Sequence, residues 1–278
     1  MLKVGLIGYG AISRYVVDKL PDINAQLVRM IVRPERVDDI QQSLGASVQV
    51  TDRWMTPAVD LDGQETSNES GDVDVIAECA GHEALRMHGV DILRAGVPLV
   101  TVSIGALADS AFYDSLKHAA QIGKSRLQLA SGSIGALDAL ASAQHGRLQS
   151  VSYTGRKAPA GWAGSHAEAV IDLQSLTDKA VTHFDGSARD AALLYPKNAN
   201  VAAAVALAGV GFDDTRVRLI ADPSVTANSH EIEAVGDFGK VMFSVQGNTL
   251  PQNPRTSALA AMSVVKALSM QAAAISLI

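Results

Sequence analysis

Cysteine is almost missing from this chain, with Cys79 the single one in 278 residues. An internal disulfide is therefore impossible, and a reducing compartment is the natural setting. Positive charge is also scarce. Lys and Arg number 23 against 29 Asp and Glu, for a net charge of -6, and the cations form no cluster beyond Arg156-Lys157. That balance argues against nucleic acid or an anionic membrane as partner and leaves small molecules. No apolar run reaches membrane-spanning length and the start has no leader-like pattern, so a cytoplasmic protein is expected. The histidines are dispersed and Cys79 is isolated, so no metal site is expected. A hydrophobic content of 47% over this length supplies core for two modest domains or one large one.

What is present begins at the second residue. Leu2 to Ile7 reads as a short buried strand, followed at once by Gly8-Tyr9-Gly10 and a helical pattern through Ile12, Tyr15, Val16 and Leu20. Gly8 permits the tight turn, Gly10 lets backbone approach phosphate oxygens, and the free N–H groups at Ala11 and Ile12 face the anion at the helix start. A dinucleotide is the expected ligand, although the third fingerprint position is Ser13 rather than Gly or Ala. A second strand, Ala25 to Val32, arrives on schedule but ends in Arg33-Pro34-Glu35-Arg36 with no acid at its tip. Arg33 there is placed to receive a ribose 2′-phosphate, so NADP is expected to be accepted alongside NAD. An ordinary solvated arginine gives the same sequence.

Strands at Val48–Val50, Val73–Cys79, Pro98–Val102 and Arg126–Leu129 alternate with helices over Glu83–Ala95 and Asp109–Ile122. This is the pattern of a Rossmann-type, doubly wound parallel sheet. Ala80-Gly81-His82 and Ser103-Ile104-Gly105 close two of its strands at the end where ligands lie. The interval from Trp54 to Asp72 is polar and reads as a surface loop. Small residues from Ala130 to Ala136 let backbone approach a nicotinamide ring. Beyond them come strand-like segments at Ser150–Tyr153, Val217–Ala221, Ser229–Val235 and Lys240–Gln246, with helices expected over Ser165–Ser175 and Ala199–Leu207. Together these predict a second, α+β substrate domain. The expected division is 1–135, 136–252 and a C-terminal helix within 253–278, starting near Thr256. Its excess of apolar surface suggests a domain junction or a two-fold dimer contact.

Two segments carry candidate chemistry. In Ser229-His230-Glu231-Ile232 the alternation puts His230 on the covered face with Ile232 and Ala234; a satisfied core histidine would look the same. Lys197-Asn198-Ala199-Asn200-Val201 opens a helix, where an asparagine is by default a cap. The same groups also suit a nicotinamide amide or a substrate carboxylate.

Gly8-Tyr9-Gly10-Ala11-Ile12, Glu78-Cys79-Ala80-Gly81-His82, Lys197 to Val201, Ser229 to Ile232, Gly236-Asp237-Phe238-Gly239 and Asn253-Pro254-Arg255-Thr256-Ser257-Ala258-Leu259-Ala260 together resemble the L-aspartate dehydrogenase family along nearly the whole chain. The chain departs from that family's pattern in the long interval 54–72 and at Ser133, where the family pattern has Ala. The resemblance implies NAD(P)-dependent oxidation of L-aspartate to iminoaspartate, which hydrolyses to oxaloacetate and ammonia and also feeds pyridine nucleotide synthesis. It implies His230 as the catalytic histidine, Asn200 at the nicotinamide end of the cofactor, and Ser131 and Ser133 lining the same pocket. Two substrate carboxylates call for cations, and Lys197, Arg156, Lys157 and His166 are those offered. The alternatives are another two-domain oxidoreductase, resembling homoserine dehydrogenase or dihydrodipicolinate reductase, and a non-catalytic dinucleotide sensor.

Overall fold

The computed structural model describes residues 1–54, 73–196, 198–251 and 253–275. They form two compact units, one built from 1–130 with 261–277, the other from 131–260. Of the polar interval 54–72 only Trp54 is described, and Lys197 lies outside the described residues.

The first unit alternates strand and helix: β1 (Leu2–Ile7), α1 (Ala11–Lys19), β2 (Ala25–Ile31), α2 (Val37–Leu44), β3 (Gln49–Thr51), β4 (Val75–Glu78), α3 (His82–Arg94), β5 (Leu99–Thr101), α4 (Ser110–Gly123) and β6 (Leu127–Leu129). All six strands are parallel, in the order β3-β2-β1-β4-β5-β6. Strands covered on both faces need near-continuous apolar sequence, and Val4, Leu6, Val75, Ile76, Leu99 and Val100 are fully buried. The order reverses between β1 and β4, so their carboxyl ends flank the crevice where such sheets hold ligands.

The second unit contains α5 (Leu137–Ala143), β7 (Leu148–Lys157), β8 (Val181–Ser187), α6 (Ala188–Leu194), α7 (Asn200–Ala208), β9 (Arg216–Ala221), β10 (Asn228–Gly236), β11 (Gly239–Gly247), β12 (Thr249–Leu250) and β13 (Asn253–Ser257). Five of its strands make a mixed sheet ordered β11-β10-β7-β9-β8, in which only β7 and β9 run parallel. The α/β first unit and this α+β second unit are the fold class expected from sequence. Helix α7 is apolar all round, Val201 to Ala206 being buried, as befits a helix enclosed by its unit rather than lying on it.

Three local expectations are corrected. The segment Ser165–Ser175 is not a helix. It holds one 3-10 turn, His166–Ala169, followed by a turn in which the Asp172 side chain accepts from Gln174 N–H and the Ser175 hydroxyl donates to the Asp172 carbonyl. Short polar side chains there compete with the helical ladder. The C-terminal helix, α8 (Ala258–Ser269), starts later than Thr256 because Asn253–Ser257 is extended and pairs with Thr249–Leu250; Pro254 favours that extension in the residue before it. Val264 and Leu268 of α8 join the core of the first unit. Strand β8 and helix α6 were not anticipated, and they carry His183 and lead to Tyr195. Among the described residues no helix is long and apolar enough to cross a membrane.

Candidate active site

In the first unit, β1 runs out at Ile7 and Gly8 turns the chain with φ of +90°. A Cβ on Gly8 would stand 2.7 Å from that of Ala80, so both conformation and space require glycine. Gly10 faces open space and is the N-cap of α1, without a side-chain cap. The amides that open α1 at Ala11 and Ile12 therefore have no carbonyl one turn earlier in the helix and present N–H groups to an anion. Ser13, at the third fingerprint position, is fully buried, so its small side chain serves close packing as Gly or Ala would.

A cleft of about 520 Å³ opens over this turn, lined among others by Gly8, Tyr9, Gly10, Arg33, Arg36 and Ala80. Arg33 lies at its rim with its side chain 77% exposed and its Nε 3.3 Å from a Glu35 oxygen. Arg36, which sequence reading did not single out, lines the same wall. Ala80 lines the cleft through its side chain and its position, because its N–H and that of Gly81 are already engaged. Both donate to the buried Glu78 Oε1 at 2.7 Å, while Glu78 Oε2 accepts from the Thr101 hydroxyl at 2.6 Å. Glu78 thus holds the β4 loop in shape, a role no local motif announced. The features that suit a dinucleotide are the glycine cradle, the free helix amides and the cationic rim.

In the second unit the pairing of β10 with β7 sets the chemistry. His230 lies opposite Gly155 and Ile232 opposite Tyr153, so these four share the covered face. Tyr153, almost fully buried, places its hydroxyl 2.8 Å from His230 Nδ1. Gly155 makes that contact possible, since a Cβ there would stand 2.6 Å from the Tyr153 hydroxyl oxygen. Burial, with Lys157 nearby, lowers the His230 pKa to about 4, and burial pushes the Tyr153 phenol up. At neutral pH the imidazole is therefore uncharged and the phenol keeps its proton.

Two residues beyond Gly155, Lys157 donates from Nζ to Asn198 Oδ1 at 2.6 Å and sits 4.8 Å from the centre of the Trp162 ring. Burial lowers its pKa to about 8. Trp162 packs edge-on against His183 and also against Tyr195, and the Tyr195 hydroxyl lies 3.0 Å from His183 Nδ1. Desolvation, then His166 and Lys157, lowers the His183 pKa to about 4.

The sequence candidates are thus partly assembled. His230, Asn198 and Lys157 belong to this cluster. His166 reaches it through Tyr195, with ring centres 5.5 Å apart, and is itself exposed. Asn198 is no helix cap, because the N-cap of α7 is Ala199 and no side chain caps it. Asn200 is the first residue of α7 and half-buried. Arg156 points away from the cluster. It pairs with Ser229, on the other pleat, and its Nη1 is 2.6 Å from Asp222 Oδ2. Ser131 and Ser133 are half-buried in the turn between β6 and α5, around Gly132 at φ +71°. Tyr153, Gly155, Trp162, His183 and Tyr195 were missed as site residues. The period-two spacing of 153, 155 and 157 was the one signal present, putting two of them on a single strand face with Lys157. Among the described residues no three His, Cys, Asp or Glu side chains gather to hold a metal.

A parallel sheet ordered about a glycine-turn cleft, joined in one chain to an α+β unit with a neutral buried imidazole, defines a nicotinamide-dependent oxidoreductase. Residues 8–130 match the family model described as homoserine dehydrogenase, NAD binding domain, and residues 138–271 match that of aspartate dehydrogenase, C-terminal. An L-aspartate dehydrogenase of Ruegeria pomeroyi is 51% identical over 274 residues, 99% of this chain and 94% of the relative. One from Pseudomonas aeruginosa is 44% identical over the full length of both. The crystal structure of a Thermotoga maritima aspartate dehydrogenase, 24% identical, has the same fold, with a TM-score of 0.76 and coverage of 100% of this chain and 99% of that one. The chain belongs to the L-aspartate dehydrogenase family.

Proposed function

We propose that this protein oxidises L-aspartate with NAD or NADP to iminoaspartate, which hydrolyses to oxaloacetate and ammonia, and runs the reductive amination in reverse. The observation that carries the reading is the buried, uncharged His230 held by Tyr153, inside the segment that matches the aspartate dehydrogenase C-terminal model. When bound, a nicotinamide cofactor would supply the hydride acceptor for the substrate α-carbon. Gly8, Gly10, Ala11 and Ile12 hold the cofactor's pyrophosphate, Ala80 and Gly81 shape the neighbouring wall, and Arg33 meets a 2′-phosphate. Ser131, Ser133 and Asn200 contact the nicotinamide end.

The substrate ammonium must lose a proton before its lone pair can form the C=N bond. His230 takes that proton at Nε2 and later activates the water that attacks the imine. In the tautomer able to do so, Nδ1–H donates to the Tyr153 oxygen, and the same bond supports the imidazolium once formed. Lys157, Asn198, His166 and Lys197 serve the two carboxylates. The Arg156 ion pair with Asp222 favours a structural role for that residue over the carboxylate contact expected from sequence. We further propose a cytoplasmic homodimer, whose iminoaspartate is available to pyridine nucleotide synthesis.

The test is absorbance at 340 nm with L-aspartate and each cofactor. The reading expects NADH or NADPH to accumulate with L-aspartate and not with homoserine, L-glutamate or D-aspartate. Cofactor binding without any turnover would favour a sensor instead.

A further inference from the structure

Lys157 is a half-buried ammonium without a counter-charge. Its Nζ donates to the neutral Asn198 carboxamide and rests over the Trp162 ring, and among the described residues no carboxylate reaches it. Asp222 donates its backbone N–H to the Lys157 carbonyl, but its carboxylate is taken by Arg156 and by the N–H and hydroxyl of Ser224. The titratable side chains that act on the cluster from neighbouring strands are His230 on β10 and His183 on β8, both held uncharged by burial. Asn198 spends its carbonyl oxygen on Lys157, and among the described residues its NH2 group has no partner. A desolvated cation with no anion is unfavourable, and here it stands beside amide donors still to be used.

Placement on the strand is the second observation. Lys157 shares the pleat of Gly155, which opposes His230, so its backbone lies about 7 Å along the strand from the position facing the imidazole. Arg156, the neighbouring cation, is on the opposite pleat and already neutralised. An amino diacid whose nitrogen lies at His230 carries a second carboxylate two carbons away, in the direction of Lys157 or away from it.

We infer that Lys157 and the Asn198 amide form the subsite for the side-chain carboxylate of the substrate, and that this subsite sets the preference for an amino diacid over a neutral amino acid. The inference rests on the reaction proposed above and adds the identity of the group that selects its substrate. The ammonium closes an ion pair with the carboxylate while Asn198 Nδ2 donates to its other oxygen, charge-assisted contacts whose loss costs about ten- to a hundred-fold in affinity.

The experiment compares wild type with Lys157→Met, Lys157→Arg and Asn198→Ala, all shown to bind NADPH. Steady-state kinetics with L-aspartate are combined with competitive inhibition by β-alanine, which keeps the amine and the distal carboxylate, and by L-alanine, which keeps the amine and the α-carboxylate. Expected for Lys157→Met is a KM for aspartate raised about 30-fold or more with kcat changed far less, β-alanine inhibition weakened in parallel, and L-alanine inhibition unchanged. Lys157→Arg should recover part of the loss, and Asn198→Ala should raise KM several-fold. An unchanged aspartate KM in Lys157→Met, or weakening of L-alanine in place of β-alanine, overturns the subsite. Should Lys157→Met not fold, the Arg and Asn198 variants decide by the same readouts. Absence of wild-type turnover with aspartate overturns the assigned reaction instead, so the two failures are told apart.

Discussion

The two units build their candidate sites by different means. The first relies on backbone. One strand, one positive-φ glycine and the start of one helix, all within residues 2–19, make the cradle. The second relies on side chains brought together from β7, β8, β10 and the foot of α7, with partners such as Tyr153 and His230 separated by 77 positions. A backbone cradle tolerates many side chains around it and fails when a Cβ enters, whereas a side-chain cluster tolerates backbone variation and fails when one functional group is lost. Substitutions in the two units should therefore separate cofactor affinity from turnover.

The largest effect is expected from His230→Ala, which should lower kcat by about 100-fold or more, the usual worth of an acid–base group, while the NADPH dissociation constant from fluorescence titration stays near wild type. Turnover near wild type would remove the imidazole from the mechanism. Gly8→Ala should act in the opposite sense. The new Cβ meets Ala80 at 2.7 Å on a backbone at φ +90°, and a strain of about 1–3 kcal/mol at the turn should weaken NADPH binding roughly ten-fold or more. Unaltered cofactor affinity would contradict the cradle.

Tyr153→Phe should cost up to about ten-fold in kcat, because the lost bond is one of the modest kind worth about 0.5–1.5 kcal/mol, and should leave cofactor affinity alone. Its acid limb should also move, since His230 loses the oxygen that supports its imidazolium. A ten-fold loss of kcat with an unmoved pH profile would make Tyr153 merely a packing residue.

Stability should follow pH through the second unit. His183 and His230 have folded-state pKa values lowered to about 4, below the value of about 6.5 for an unfolded chain. Between those limits the unfolded chain binds protons that the folded one refuses. The stability contributed by the neutral rings is complete above pH 6.5 and is lost as pH falls toward 4, at up to roughly 1.4 kcal/mol per pH unit for each ring. Denaturant unfolding of wild type and His183→Asn at several pH values checks this, and the variant should show the shallower dependence. The smallest effect is expected at the cleft rim. Arg33→Ala should reduce the NADP over NAD ratio of kcat/KM only a few-fold, since Arg33 is mostly exposed and Arg36 lines the same wall. An unchanged ratio would leave Arg33 a solvated charge.

The same contrast explains what the sequence disclosed. The first unit was legible because its signals are local: continuous apolar strands, glycine punctuation and a helix that follows at once. His230 was placed on the covered face by alternation alone, and β10 does carry it there. Its partner was not legible, because nothing in Ser152-Tyr153-Thr154-Gly155 says which strand lies alongside; only the register makes Gly155 the gap through which a phenol reaches an imidazole. Lys157 stood unranked among four cations for a related reason. What distinguishes it from Arg156 is the absence of an acid near it, and that is a property of the packed sheet. Glu78 looked like any carboxylate in a motif until the buried β4 loop showed it accepting two amides. His183 escaped notice in the sequence, and β8 has a register shift between Thr182 and Phe184 that interrupts a regular strand alternation there.

The most direct test is the structure of a ternary complex with NADP and β-alanine. The account predicts the pyrophosphate on the amides that follow Gly10, the ligand amine within hydrogen-bonding distance of His230 Nε2, and the carboxylate on Lys157 Nζ. An imidazole turned from the ligand and closed off from it, with the amine held by other groups, would contradict it.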